Sequence, residues 1–490
     1  MSIKNTLKEI IKKSLKDIYE IDIANINIEI QKNNKFGDYY TDISILLTKK
    51  LKKSPLDIAK LIVKNINNEQ LIEKSEILDQ GFITFYLKKE YLLTNINTIL
   101  EKKNHYGRNN IGNNKKINID FTNINTNKIL DLNQGREAIY GDNLYRIMTF
   151  CGYDITKEYY IDDINNEENL SSKKDIYEIH QRNELISNNN FNLTKDLDTF
   201  RINFNIFTTK QSLYDKCFVD EVLTKLRYTN YCYINEDSLW LKTTAFGDSK
   251  DRLLITKDGD YTNLISDITY NITKINKGYD KIIDILPKEK QSSVNSLKAA
   301  LYILEKKSNI LDIKNLQMVK LINSNILEIS LLELINTIGI NATRYLFAEK
   351  KIDEIIEIDI NKYLKEFNNS KIYYIESTNA KICHILRKYK NNIIKIDKYT
   401  TLNSDITYTI LNKLCQFEDI VITACKKEEP YLITDYVYEL TKLFNSFYEK
   451  ENITIENEIY TSERLNLLLA IKIVINNSLD LIGIIPREEM

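Results

Sequence analysis

The stretch from Lys116 to Gly152 constrains the fold more than any other part of the chain. Ile117-Asn-Ile-Asp-Phe121 alternates apolar and polar side chains, which is a strand pattern. A polar segment follows. Ile139, Leu144, Ile147 and Met148 then recur at helical spacing, predicting a helix from about Gly135 to Phe150, with Gly152 as its stop. A strand that feeds through a loop into a helix N-terminus is the building unit of doubly wound parallel sheets. The positive end of that helix is a natural seat for phosphate. An α/β domain with a nucleotide-type cleft is therefore expected around residues 117–150.

The rest of the chain surrounds that unit. At 490 residues there is room for about two to four domains. Hydrophobic content of 43% and charged content of 28% describe an ordinary globular chain. Asn, Ile, Lys and Tyr are overused, a pattern of AT-rich coding, so Asn-rich patches carry little weight. The net charge of −1 excludes a global basic field, so any RNA site has to be a local patch. The 6 cysteines include no Cys-x-x-Cys pair, which argues against zinc ribbons and predicts no structural metal. Scattered thiols fit a reducing, cytoplasmic location. Ile3, Leu7, Ile10, Ile11, Leu15 and Ile18 form an amphipathic pattern with Glu9, Asp17 and Glu20 between them. Such acids are foreign to a transit peptide, so a domain helix is expected. No apolar run approaches the ~20 residues of a membrane span.

Three regions follow from the patterning. Residues 1–105 read as a small α/β domain, with Ser54-Pro55-Leu56-Asp57 starting a helix whose buried stripe is Ile58, Leu61 and Ile62. Phe82 to Leu87 reads as a strand. Residues 106–350 read as the central α/β domain, within which residues 165–235 are polar and irregular at first and then periodic. Residues 351–490 read as all-helical. Ile433, Val437, Leu440, Phe444 and Phe447 form one apolar face there, and Leu465, Leu468, Leu469 and Ile473 another.

Several segments, in order, resemble the arginyl-tRNA synthetase family of class I aminoacyl-tRNA synthetases. They are Phe36-Gly-Asp-Tyr-Tyr-Thr41, Asp120 to Arg136, Gly247 to Leu254, Asp258 to Tyr270, Asn379 to Arg387 and Tyr438 to Tyr448. The resemblance runs through nearly the whole chain. It implies a Rossmann-like catalytic domain, split by an insertion at about 165–235, between an N-terminal tRNA-contacting α/β domain and a C-terminal anticodon-binding helical bundle. It also implies ATP with Mg as cofactor, arginine and tRNA(Arg) as partners, no membrane, and a monomer.

The same resemblance exposes departures. The His-x-Gly-His signature reads Asp131-Leu132-Asn133-Gln134 here. The resemblance implies that Asp131 repels a phosphate, that Asn133 crowds the adenine, and that Gln134 retains only a neutral donor. The Lys-Met-Ser-Lys loop expected after Gln317-Met-Val-Lys320 is missing, and no Lys or Arg lies between Lys320 and Arg344. Leu286 to Ser293 replaces a Gly-Ala-Asp-His-His-like segment. On the amino-acid side the resemblance implies Asp120, Asn125, Asn263 and Asp267 as substrate positions. Arg136, Glu137 and Asp142 are expected to be structural.

For RNA, Lys371–Lys398 holds seven Lys or Arg against two acids, and Lys49–Lys64 holds six lysines against one Asp. Lys381, Arg387 and Lys388 are the expected tRNA contacts, with Tyr389 and Tyr399 available to stack on bases. Three readings stay open. One is an impaired paralogue that binds tRNA and arginine, the second a working ligase with replaced signature residues, and the third a non-catalytic scaffold or regulatory subunit.

Overall fold

The computed structural model describes residues 2–31, 34–66, 70–121, 130–161, 197–287, 294–306, 308–323, 329–454 and 457–490. Ser2 caps α1 (Ile3–Tyr19) by accepting from the Asn5 amide, and Ile3, Leu7, Ile11 and Leu15 form its buried face. Next come β1 (Glu29–Ile30), β2 (Tyr39–Thr41), α2 (Ile43–Leu51), α3 (Pro55–Asn65), β3 (Ile72–Ile77), β4 (Ile83–Leu87) and α4 (Lys89–Lys102). The four strands make an antiparallel sheet in the order β1-β2-β4-β3. Ser54 caps α3 with Pro55 in its first turn, as the sequence predicts. Its buried stripe is Ile58, Ala59 and Ile62, whereas Leu61 is 37% exposed. Helix α3 packs against α1, α2 and β3, and Leu61 keeps part of its side chain in solvent.

The central region carries β5 (Lys116–Asp120), α5 (Leu132–Phe150), β6 (Asp154–Ile161) and β7 (Ile206–Thr209). It continues through α6 (Lys210–Asp215), α7 (Phe218–Arg227), β8 (Cys232–Asn235), β9 (Ser238–Leu241), β10 (Arg252–Ile255), α8 (Asn263–Asn276) and β11 (Lys281–Pro287). After these come α9 (Val294–Glu305), β12 (Leu311–Leu316), β13 (Val319–Leu321), α10 (Leu331–Ile338), α11 (Ile340–Ala348) and β14 (Ile356–Ile358). Five strands form one parallel sheet in the order β12-β11-β5-β6-β7. The chain winds outward from β5 in one direction and resumes at β11 on the other side. The switch point therefore lies between β5 and β11, and a ligand crevice belongs at the carboxyl ends of those strands.

Two expectations change here. The insertion expected at about 165–235 contributes β7, the edge strand of the sheet itself; residues 165–196 of it lie outside the described residues. Helix α5 starts at Leu132, three positions before the apolar pattern suggests, because Asp131 and Gln134 cap it.

The C-terminal helices are α12 (Ile360–Lys365), α13 (Lys371–Lys388), α14 (Asp405–Cys415), α15 (Phe417–Lys427), α16 (Tyr431–Lys450) and α17 (Glu458–Leu481). The face of α16 predicted from its spacing is fully buried. Helix α17 departs from a one-sided pattern. Leu465, Leu467, Leu468, Ala470, Ile471, Val474 and Ile475 are all buried, while Leu469 and Ile473 are only partly so. The helix is enclosed by α4, α5, α13 and α16, so it needs no solvent face.

Polar pins join this bundle to the rest. Asp38 accepts from the Leu87 amide, the Tyr408 hydroxyl and Asn412 Nδ2 at 2.7, 2.7 and 2.6 Å. Tyr39 donates to Asp419 at 2.9 Å. No helix among the described residues is long and apolar enough to cross a membrane.

Candidate nucleotide and amino-acid cleft

Helix α5 leaves the carboxyl end of β5, and α8 runs back toward the start of β11. The first turns of both helices therefore face the carboxyl edge of the sheet, which brings positions 131–134 and 263–267 to one side of the domain.

The signature positions are occupied by the protein's own hydrogen bonds. Asp131 Oδ1 accepts from the Gln134 amide at 2.9 Å, and Gln134 Oε1 accepts from the Asp131 amide at 3.0 Å. This reciprocal pair is a capping box. It places a carboxylate where a helix N-terminus would otherwise offer amides to an anion. Asn133 Oδ1 accepts from the Val319 amide at 2.7 Å and so ties α5 to β13.

Neighbouring residues tighten the same end. A Cβ on Gly135 would lie 2.5 Å from Leu331 Cδ2, so glycine is what lets α10 approach. The Leu331 amide donates to the Leu130 carbonyl at 2.9 Å. Arg136 donates to the carbonyls of Gln317, Lys351 and Glu354 at 2.6, 2.7 and 2.8 Å. Burial brings its pKa down to about 10, opposed by Glu354 and Asp353. Its role is structural, as the sequence predicts. The first-turn amide of Gln134 is spent, and the group that spends it is negative. Among the described residues no cluster of His, Cys, Asp and Glu is placed to hold a metal ion. Residues 288–293, which hold most of the replaced segment, and 324–328, within the shortened loop, lie outside the described residues.

The amino-acid half is different. Asp120 and Asp284 are register partners on neighbouring strands, and Lys274 from α8 bridges them at 2.9 and 3.3 Å. The Tyr270 ring lies 3.9 Å from the Lys274 ammonium. Burial pushes the Asp120 carboxyl up to about 6, opposed by Lys274 and reinforced by Asp284. Burial likewise raises Asp284, while its two acidic neighbours hold the Lys274 ammonium on. Asp120 Oδ2 receives Lys274, whereas Oδ1 is buried with no hydrogen-bond partner among the described residues. Burial, with Asp120 beside it, pushes the Tyr270 hydroxyl well above its ordinary pKa. Asn263, at the start of α8, accepts from Lys210 at 2.8 Å, so its side chain is already engaged. Asp267 is half-buried one turn further on. Asn125 lies outside the described residues. No local pattern marks Lys274, because its partner is 154 residues away.

The acid pair makes a pH prediction. A carboxyl whose folded pKa lies above its unfolded value of ~3.9 holds a proton that the unfolded chain has lost. Stability should therefore fall as pH rises from about 4 to about 6, by roughly 2 kcal/mol from this pair. Urea unfolding at both ends of that window should show the drop, and Asp120→Asn should flatten it. An unchanged slope in that variant would place the titration elsewhere.

Lys381, Arg387 and Lys388 all lie on the exposed face of α13. Lys381 Nζ donates to Asn445 at 3.2 Å and lies 4.9 Å from the Tyr448 ring. Arg387 pairs with Glu489 at 2.9 Å, and Lys388 sits 5.1 Å from the Tyr389 ring. Tyr399 is not available to stack on a base, because it is buried and donates to Asn97 at 2.8 Å. Tyr389 is half-buried, and His384 is exposed on the same face as the three cations.

Comparison with known proteins adds sequence evidence to this geometry. Residues 375–490 match the DALR anticodon binding domain, and residues 5–87 match the arginyl tRNA synthetase N terminal domain. An arginine–tRNA ligase of Bacillus pumilus is 31% identical over 554 residues, covering 100% of this chain and 99% of that protein. One of Bacillus subtilis is 30% identical, with 100% of both covered. The first alignment is longer than the 490 residues present, so the relative carries segments this chain lacks. Among solved structures, a Thermus thermophilus arginyl-tRNA synthetase superposes with a TM-score of 0.83 at 16% identity, covering 100% of both chains. One from Plasmodium falciparum gives 0.79 at 18% identity, covering 100% of this chain and 99% of that one. At those identities the superpositions speak for the fold.

Proposed function

The chain belongs to the arginyl-tRNA synthetase family, the arginine–tRNA ligases, and within it we propose a protein that binds tRNA(Arg) and arginine but is impaired in forming aminoacyl-tRNA. The observation that carries this reading is the Asp131–Gln134 capping box. A carboxylate ~5 Å from a phosphate at an effective dielectric of ~20 costs about 3 kcal/mol per unit charge. Asn133 adds a side chain already committed to Val319. Binding of ATP with Mg is therefore the weakened step. Arginine binding is supported by the full-length likeness to arginine–tRNA ligases. Binding of tRNA is supported by the anticodon-domain match and by the exposed cations of α13.

A working ligase with replaced groups remains the second reading. It is favoured by the full-length likeness to arginine–tRNA ligases.

Aminoacylation with arginine, ATP and tRNA(Arg) separates the two. Salt-sensitive tRNA binding without arginine transfer is the expected result. Neutralising Lys381, Arg387 and Lys388 together should weaken that binding, whereas neutralising Lys12, Lys13 and Lys16 should matter less. Transfer at ordinary synthetase rates, roughly 1–10³ per second, would overturn the impaired reading. Equal effects of the two lysine sets would remove the bundle as the reader.

A further inference from the structure

A cavity beside the outer edge of the central sheet is lined by none of the signature, amino-acid or RNA positions. Its volume is about 510 Å³, within the ~300–1,000 Å³ usual for small-molecule sites. Ile206, Leu213, Val222 and Ile272 supply apolar walls from β7, α6, α7 and α8. Phe207 and Phe218 add aromatic surface, and Phe207 remains 44% exposed. Strand β7 is the last of the sheet among the described residues, so no neighbouring strand closes this side.

The polar groups divide into two kinds. The hydroxyls are used internally: Thr208 donates to Glu158 at 2.5 Å, Thr209 caps α6, and Thr273 donates to the Tyr270 carbonyl at 2.7 Å. Lys277 reaches the buried carboxylate of Glu158 at 3.7 Å. Lys216 and Lys225, by contrast, are exposed at the rim and form no ion pair among the described residues. Glu221 is the single acid in the lining. The cavity thus joins an apolar floor to two uncommitted cations. An apolar body with an anionic end satisfies both, whereas a neutral molecule leaves the rim unused and a bare anion leaves the floor wet.

We propose that this cavity is a second ligand site, taking a small aromatic anion with its ring against Val222 and Ile272 and its charge at Lys216 and Lys225. The inference does not depend on the state of the catalytic cleft. The probe is 1-naphthyl phosphate, titrated calorimetrically into the full chain, with inorganic phosphate and 1-naphthol as its separated halves. Saturable one-site binding is expected, with each half at least about tenfold weaker. The double variant Lys216→Glu/Lys225→Glu should weaken the probe by about tenfold or more, since charge reversal acts on rim contacts without touching the core. Val222→Trp should fill the cavity and abolish binding, with circular dichroism verifying the fold. No saturable binding by the unmodified chain would overturn the proposal. So would binding that survives the double lysine variant, which would place the probe in another pocket.

Discussion

Replacing Asp131 with Asn is expected to strengthen ATP binding by about a hundredfold while leaving stability nearly unchanged. The two effects separate because Asn is as good an N-cap as Asp, so the bond to the Gln134 amide survives while the charge disappears. Removing about 3 kcal/mol of repulsion corresponds to roughly two powers of ten in affinity. The triple change Asp131→His, Asn133→Gly, Gln134→His goes further at the site and costs more in the fold. It breaks both halves of the capping box and the Asn133–Val319 bond, so helix α5 should lose about 1–2 kcal/mol.

Pyrophosphate exchange in that triple variant, measured with tRNA present, should remain well below ordinary turnover. No cation between Lys320 and Arg344 is available to bear on the leaving group. ATP affinity unchanged in Asp131→Asn would show that the capping carboxylate is not the barrier. Full exchange in the triple variant would show that the missing loop is dispensable.

The sequence made the frame legible and hid the fastenings. The alternation at 117–121 and the helical spacing after it placed β5 and α5. Ser54-Pro55 placed the start of α3, and the spacing of Ile433 to Phe447 placed the buried face of α16. These are local signals, carried by residues within a few turns of one another. Asp131-Leu-Asn-Gln134 is also a local capping-box pattern. Its likeness to a degraded catalytic signature masks that capping role, and the apolar pattern alone places the helix start three residues late. What stayed hidden was distant pairing. Asn133 meets Val319 across 186 positions, Lys274 meets Asp120 across 154, and Tyr399 donates to Asn97 across 302. Hydrophobic periodicity carries no information about such partners. It also misjudged Leu61, whose exposure depends on how far neighbouring elements extend over α3.

The largest loss of stability is expected from Arg344→Met. Arg344 is fully buried and donates to four groups: the carbonyls of Phe200 and Ile482 at 2.7 and 2.9 Å, Asp142 at 2.6 Å and Asn143 at 3.2 Å. It thus ties the signature helix α5 to the C-terminal segment. Gly483 allows the chain to pass over the guanidinium: its φ is +67°, and a Cβ there would lie 2.0 Å from Arg344 Nη2.

Burial alone would raise the Asp142 carboxyl, but Arg344, Arg146 and Lys157 outweigh it and hold it below the usual range. Removing Arg344 leaves that carboxylate with two of its three cations and strips a donor from two carbonyls. Breaking a buried pair in this way costs about 3–5 kcal/mol, a large part of the ~5–15 kcal/mol that holds a domain folded. Arg344→Lys should recover part of the loss, because the charge returns without the planar fork that reaches both carbonyls. Acid should expose the same network. A depressed folded pKa contributes stability above the unfolded value of ~3.9, and the contribution disappears as pH falls through the folded one. The methionine variant should therefore lose less on acidification than the parent. Urea unfolding reads all three outcomes, and a cost below about 1 kcal/mol for Arg344→Met would mean that the C-terminal segment is held by its apolar contacts alone.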